Sequence, residues 1–360
     1  MLRAGLIGYP SVGKTTLFQL MTSADTSRTS HGRTDAPVGV SRVPDARLDR
    51  LTEMYRPRRR VPATVEFADV AAMGRSGATA LLDVAAYRNA DALVHVVRLF
   101  ESDTVPHAAG SVDPARDVRG MDDELVLADL SVTEKRLARL ERDLKKGRTR
   151  DLEHEYAVLA RCHTALVEGQ ALRSLDLDVD DAKRLRGFQF LSAKPLLLVL
   201  NVGESDLPRI GAATAFSGIE SFLTGARTQA VAVCAPIELE ISQLDEADAM
   251  MFLTDLGLVD SGLNRVIRAS YDLLGYISFF TVGDDECRAW SIPKGTSAQD
   301  AAGEIHTDLS RGFIRAEVVA YDRLVARGSY ATCRDHGEVR LEGKDYVVQD
   351  ADILNIRFAT

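Results

Sequence analysis

A chain of 360 residues, 46% hydrophobic and 27% charged, exceeds the usual size of one hydrophobic core, so two or three globular domains are expected. Its net charge of -9 supplies no overall attraction to nucleic acid; a DNA partner is not expected, and any RNA contact must come from a local patch. No uncharged apolar run reaches the roughly 20 residues that span a bilayer, so the reading is a cytoplasmic protein with no membrane partner.

The first element is a buried strand, "AGLIG", which breaks into "GYPSVGKT" (Gly8 to Thr15) and continues as a helix, "KTTLFQLMT". The break fits GxxxxGK[ST]. Gly8 and Gly13 let the backbone curl so that successive N–H groups face phosphate oxygens, and the following helix turns its positive end toward them. Gly8, Tyr9, Pro10, Ser11, Val12, Gly13, Lys14, Thr15 and Thr16 are therefore the candidate phosphate-binding residues. Lys14 supplies a point charge for the outer phosphates, and the Thr15 hydroxyl a ligand for Mg2+. An empty glycine-rich turn is the alternative, and the strand before it and the helix after it speak against that.

Next comes a basic loop, "YRPRRR" (Tyr55 to Arg60), readable as an RNA contact or as plain solubilising charge. "PATVEFADVAAMG" alternates as a strand and delivers Asp69 at its end, where a carboxylate can hold Mg2+ through water. A lone strand-end aspartate is commonly only a cap or turn former. Arrival on the next apolar strand, 55 residues after Lys14, favours the metal role. "DALVHVVRLF" (Asp91 to Phe100) is a further strand.

The interval that follows is poor in strand signals. Leu130, Leu137 and Leu144 recur every seven residues with Val126 and Leu140 on companion positions, which predicts a coiled-coil seam. Leu152, Tyr156, Leu159 and Leu166 form the partner after a turn near Gly147, giving an antiparallel helical hairpin. Glu134 to Arg150 holds eight basic and three acidic residues, a local +5. Contact with RNA phosphates and a solvated face with weak ion pairs both fit that composition.

"KPLLLVLNVGESD" (Lys194 to Asp206) returns to strand and ends in Asn201-Val202-Gly203-Glu204, where nucleotide switch proteins carry Asn-Lys-x-Asp. Aspartate there suits the two adjacent donors of guanine; glutamate, with the lysine lost, weakens guanine selectivity. "AVAVCAP" is one more strand, setting Cys234 and Ala235 beside the base. From about Tyr276 short strands, one helix and turns suggest a small β-grasp fold. "FFTVG" and "CRAWSIPKG" read as a hairpin, "SAQDAAGEIHTDL" as the helix, and "FIRAEVVAY" and "YVVQDADILNIRF" as later strands. Ten basic and fourteen acidic residues in this tail argue against broad phosphate binding, and His306 is read as structural. The four cysteines, Cys162, Cys234, Cys287 and Cys333, contain no CxxC pair, which predicts buried or idle thiols rather than a zinc site or a disulfide framework.

Along nearly its whole length the chain resembles the YchF type of Obg-like ATPase, a branch of the translation-factor P-loop NTPases. The resemblance runs through "GLIGYPSVGKTTLF", "RVPDARLDRL", "VPATVEFADV", "DALVHVVRLFE", "VDPARDV", "DELVLADLSVTEKRLARLE", "SAKPLLLVLNVGE" and "GKDYVVQDADILNIRF". It implies an α/β P-loop NTPase domain (1–118 and 190–275), an inserted helical coiled-coil hairpin (119–189) and a C-terminal β-grasp TGS domain (276–360). It also implies slow hydrolysis of ATP, with GTP bound less well, Asn201 and Glu204 reading the base, and Thr15 and Asp69 holding Mg2+. The implied partner is the ribosome: rRNA through the basic hairpin, and ribosomal protein or RNA through the TGS domain. Lys14, Asp69 and His107 are the implied catalytic residues, His107 lying in the loop "VPHAAGSVDP".

Three positions depart from the family. Ser11 replaces an asparagine associated with potassium binding, so a K+ requirement stays open. Ala72 stands for the glycine of Asp-x-x-Gly, next to Met73 at the place of a water-orienting glutamine, and keeps an N–H without glycine's freedom at positive φ. Thr34 lies one place from the expected switch threonine. A GTPase and a nucleotide-dependent ribosome-binding module that does not hydrolyse are the competing readings. A metabolic P-loop kinase fits least, since neither the hairpin nor the tail offers a lid or an acceptor pocket.

Overall fold

The computed structural model describes residues 2–22, 38–69, 87–225 and 227–359; the readings placed on Thr34, Ala72 and Met73 lie outside them. Among the described residues the strands are β1 (Leu2–Ile7), β2 (Val38–Arg42), β3 (Arg59–Val61), β4 (Thr64–Asp69), β5 (Ala92–Arg98), β6 (Leu196–Asn201), β7 (Thr228–Val233), β8 (Tyr276–Thr281), β9 (Glu286–Pro293), β10 (Phe313–Ala320), β11 (Arg340–Glu342) and β12 (Asp352–Phe358). Contacts divide the chain into two compact units. One comprises Met1–Ser41 with Glu66–Leu273, the other Arg42–Val65 with Leu274–Thr360.

The sheet of the first unit has the order β2-β4-β1-β5-β6-β7, with β1, β5, β6 and β7 paired in parallel. Every residue of β5 and β6 is buried. Continuous runs such as "LLLVLN" suit this position, because a parallel sheet is covered on both faces. Arg98 pairs with Asn201 and Asn201 with Val233, so the carboxyl ends of three strands finish in one row. That edge is where open α/β sheets leave a crevice for ligands.

The helix α1 (Lys14–Thr22) follows the phosphate loop, α2 (Ala46–Tyr55) belongs to the other unit, and α3 (Pro114–Lys146) and α4 (Arg150–Val167) make the hairpin. α3 starts cleanly: Asp113 accepts from the Arg116 N–H, and Pro114 takes the first turn. The helix runs unbroken across the expected boundary at residue 118. Val118, Met121 and Leu125 join the core beneath the sheet, whereas Val126 and Leu140 bury with Val158, Leu159, Cys162 and Leu166 of α4. Leu144, expected in the seam, is not in that cluster. Where the two cores meet, buried Asp129 accepts from the N–H groups of Leu191 (2.9 Å) and Ser192 (2.7 Å) and from the Ser192 hydroxyl (2.7 Å). These bonds fasten the root of the hairpin to the approach to β6.

The second unit carries the sheet β11-β10-β12-β8-β9-β3. β8 and β9 form the expected hairpin, β10 pairs antiparallel with β12, and β12 runs parallel to β8. Ser297 caps the helix Ala298–Ile305, which buries Ala298 and Ala301 against Phe279, Ile292 and Val318 in a β-grasp arrangement. The expected single helix is two, because His306 ends one and caps the next (Thr307–Arg311), its Nδ1 accepting from the Asp308 N–H. Two short helices, Tyr321–Arg327 and Tyr330–Asp335, were not anticipated, and "YVVQDADILNIRF" becomes strand only from Asp352.

Residues 42–65 were expected within the first part of the nucleotide domain. Here β3 pairs in parallel with β9, and Arg47 of α2 donates to Asp45 and to Asp350 (2.6 Å). Three arginines of the "YRPRRR" loop lie near acids at the surface: Arg58 is 3.5 Å from Asp285, Arg59 3.3 Å from Glu286 and Arg60 2.5 Å from Asp49. All four cysteines are free and buried, and burial pushes the Cys162 thiol up to about 11.

Candidate nucleotide-binding site

The phosphate loop is shaped by two glycines at positive φ whose replacement would strain the backbone. Gly8 sits at φ +144 and Gly13 at φ +99. A Cβ on Gly8 would meet the Val96 carbonyl oxygen at 2.5 Å, and one on Gly13 the Asn201 Nδ2 at 2.5 Å. Ser11 lies at φ 61, the left-handed region that serine enters at a cost. Lys14 is only 7% exposed, and its Nζ donates to the carbonyls of Gly8 (2.9 Å) and Tyr9 (2.5 Å). No carboxylate pairs with it among the described residues. Burial lowers its pKa to about 8, a shift that the charge of Asp69 partly offsets.

Asp69 is 1% exposed at the end of β4. Its Oδ2 accepts from the Thr15 hydroxyl at 3.2 Å, while Oδ1 is buried with no hydrogen-bond partner. An orphaned carboxylate oxygen beside a hydroxyl, at the mouth of a phosphate loop, is the hard oxygen donor set that Mg2+ takes together with water and phosphate.

Asn201 is the staple between the phosphate loop and the far side of the crevice. Its Nδ2 donates to the Val12 carbonyl (3.0 Å), and its Oδ1 accepts from the Ala235 N–H (3.2 Å), which opens the helix Ala235–Ile241. One amide proton of Asn201 is left for a ligand. A cavity of about 840 Å3 opens beside it, bounded by Gly13, Thr16, Phe100, Val202, Glu204 and Ala235, among others. That volume suits a small-molecule site. Glu204 is exposed on the wall of this cavity, whereas Asp206 is taken by Arg209. Cys234 is buried at the start of the helix and does not line the cavity.

His107 is turned away to the first turns of α3. Its Nε2 lies 2.9 Å from Asp117 Oδ2 without the alignment of a hydrogen bond, and its Nδ1 accepts from the Ala109 N–H at 3.1 Å. Asp117 is held from its other side by Arg116 (2.8 Å). Tyr9 reaches the same turns, since a Cβ on Gly120 would meet its hydroxyl at 2.6 Å.

One residue that the sequence reading passed over is Arg98. It is 1% exposed, donates to the carbonyls of Phe100 (2.9 Å), Val105 (2.8 Å) and Ser11 (3.5 Å), and covers the Phe100 ring at 4.3 Å. It thus ties the loop that carries His107 to the phosphate loop. The signal was present as an arginine closing the apolar run "ALVHVV".

Comparison with known proteins bears on the whole chain. Residues 276–359 match the family YchF-GTPase_C, described as a protein of unknown function (DUF933). The ribosome-binding ATPase YchF of Bacillus subtilis (strain 168) is 40% identical over 363 residues, covering 99% of both chains. That of Escherichia coli O157:H7 is 37% identical over 365 residues, again with 99% of each covered. The chain belongs to the YchF family. A solved YchF GTPase from Schizosaccharomyces pombe superposes with a TM-score of 0.85 at 29% identity, over 99% of this chain and 97% of that one. The YchF fold of a P-loop NTPase domain, a helical hairpin and a C-terminal β-grasp domain is thus common to both. Among the described residues no helix is long and apolar enough to cross a membrane, and no three His, Cys, Asp or Glu side chains cluster as metal ligands.

Proposed function

We propose that this protein is a ribosome-associated nucleotide switch that binds ATP, GTP less well, and hydrolyses ATP slowly to ADP and phosphate. One observation carries the reading: the phosphate loop, whose Gly13 and Thr16 line a nucleotide-sized cavity, holds a buried ammonium without a carboxylate partner and stands beside a buried carboxylate oxygen without a donor. Such groups cost stability unless a ligand answers them. A Mg2+-triphosphate answers both.

In this reading the amides of Gly8 to Lys14 and the Lys14 ammonium hold the phosphates, and Thr15 and Asp69 hold Mg2+. A Mg2+ ion held by these two residues would supply positive charge for the transferred phosphate. Asn201 contributes its remaining amide proton to the base, and Glu204 accepts from an exocyclic amine. Catalysis rests on positioning and charge, which gives slow turnover. His107 enters the reaction only after its contact with Asp117 opens, and that restraint favours the alternative of a non-hydrolysing module as a second reading. Ser11 leaves a potassium requirement to be measured.

Ribosome association is carried over from the names of the relatives. It is supported here by the tip of the hairpin, where Lys135 and Lys145 have no ion-pair partner among the described residues and Arg139 and Lys146 share Asp143 at 3.9 Å. The domain limits proposed are 1–118 with 190–275, 119–189 and 276–360, with residues 42–65 serving the last of them. Single-turnover incubation with labelled ATP, with and without ribosomes and in K+ or Na+, tests the proposal. Bound ATP remaining uncleaved in every tube would select the non-hydrolysing module, and tighter competition by GTP than by ATP would reject the role given to Glu204.

A further inference from the structure

The first unit has a second concave feature, at the opposite edge of its parallel sheet. Two cavities of about 530 Å3 each lie at the amino ends of β5, β6 and β7 and share Arg227. Asp122 and Arg173 border one; Arg88, Arg186 and Lys194 border the other. We propose that this furrow binds RNA phosphates, so that the protein holds ribosomal RNA at the root of its hairpin as well as at the tip. The inference rests on the ribosome-association reading above and adds a site to it.

The argument is one of unmatched charge. Five cations line the two cavities against three carboxylates, in a chain whose net charge is -9. Asp122 is taken by Arg173, and Asp91 accepts from the Arg3 N–H. Arg88, Arg186, Lys194 and Arg227 have no ion-pair partner among the described residues. Two of them are already oriented by backbone carbonyls: Arg88 donates to Phe188 (3.2 Å) and Gln189 (3.4 Å), and Lys194 to Arg88 (3.0 Å) and Ala90 (2.5 Å). The five cations exceed the three carboxylates of the furrow by two, even with Asp91 acting on Lys194 from beside it, and that positive excess suits the regular charge of a nucleic-acid backbone, which guanidinium groups contact through paired N–H donors. The furrow also adjoins the hairpin, since Asp122 lies on α3 and Leu172 and Leu185 of the second cavity bury in the hairpin core.

Arg186 and Arg227 are exposed, so Arg186→Glu/Arg227→Glu changes the furrow and leaves the core intact. Its binding to a fluorescein-labelled A-form RNA hairpin would be compared, by anisotropy across a salt series, with the parent and with the tip variant Lys135→Glu/Lys145→Glu. The furrow variant is expected to lose at least tenfold in affinity and to flatten the slope of log K against log salt by about 1 to 2. Arg186→Gln/Arg227→Gln, which removes charge without reversing it, should lose part of that affinity, and ATP affinity should not move in either. Parent-like RNA binding by both furrow variants overturns the proposal. So does displacement of the RNA hairpin from the parent by poly-glutamate at equal charge, which would make the ligand an acidic protein segment. Co-sedimentation with ribosomes separates the two readings. A parent that pellets with ribosomes beside a furrow variant that pellets equally refutes the furrow alone, and a parent that stays in the supernatant yet loses the RNA hairpin on mutation refutes the ribosome alone.

Discussion

The nucleotide crevice and the C-terminal β-grasp unit treat buried charge in opposite ways. In the crevice Lys14 is buried with no ion-pair partner among the described residues, only the more distant charge of Asp69 acting on it, and one oxygen of Asp69 is buried with no donor. In the C-terminal unit the same kind of group is answered from within. Glu317 accepts from Arg357 (3.0 Å) and lies 3.5 Å from Arg334, and Asp352 accepts from the Tyr346 hydroxyl (2.7 Å) and the Gln349 N–H (2.9 Å). Satisfied polar groups fix a fold; unsatisfied ones are held at the expense of stability and mark where a ligand completes the structure. On the function proposed above, this contrast separates charges that a ligand would complete from charges that the fold itself completes.

The sharpest way to break the contrast is Lys14→Met. Triphosphate affinity should fall at least a hundredfold, about 3 kcal/mol for lost charged hydrogen bonds, while the nucleotide-free protein becomes more resistant to urea. The depression of the Lys14 pKa from 10.5 to about 8 corresponds to about 3 kcal/mol of charge burial that the methionine avoids. A lower urea midpoint would show that Lys14 is not a cost to the fold. The same shift predicts pH behaviour. Between pH 8 and 10.5 the unfolded chain binds the extra proton, so this group makes the fold more stable as pH rises. Over the same window the free site loses its ammonium, and triphosphate affinity should drop by up to tenfold per unit, read as Kd from pH 7.5 to 9.5.

Next in size, Asp69→Asn keeps a partner for Thr15 but removes the carboxylate, and the Mg2+-dependent part of ATP affinity should fall by about 10- to 100-fold. A Mg2+ titration checks this. On the other side of the contrast, Glu317→Gln should cost about 1 kcal/mol in urea and leave ATP affinity unchanged. The Arg357 guanidinium holds the Glu317 carboxyl below its ordinary value, so its contribution is present above the unfolded pKa and lost as acid takes the pH down through the folded one. Glu317→Gln should therefore flatten the acid limb of the stability profile. The smallest effect is expected for Arg136→Ala, which removes a half-buried bidentate pair with Glu155 (2.7 and 2.8 Å) and should cost about 0.5 kcal/mol.

What could be read from the sequence was what is encoded locally. The phosphate loop is a fixed spacing, and α1 begins and ends where "KTTLFQLMT" does. The hairpin followed from a heptad seam, and β5, β6 and β7 from apolar runs. Hidden from such reading was whatever depends on a distant partner. β3 is three residues long and takes its identity from β9, more than two hundred residues later, so nothing near Arg59 announces that residues 42–65 belong with the C-terminal unit. Arg98 looked like an ordinary polar strand end because its three acceptors are carbonyls, which no side-chain pattern records. Asn201 stood out by its position after an apolar strand, where the sequence proposes a base contact, but its bonds to Val12 and Ala235 follow from the strand register.

The unbroken course of α3 has a mechanical consequence. Its first turns lie in the core below the nucleotide crevice and its last turn ends the hairpin, a span of about 50 Å for 33 residues. With its fulcrum beside Tyr9, near Gly120, a tilt of roughly 5° would displace the far end by about 3 Å. A rearrangement of a few tenths of an ångström around bound phosphates would thereby be enlarged to several ångströms at the far end of the hairpin.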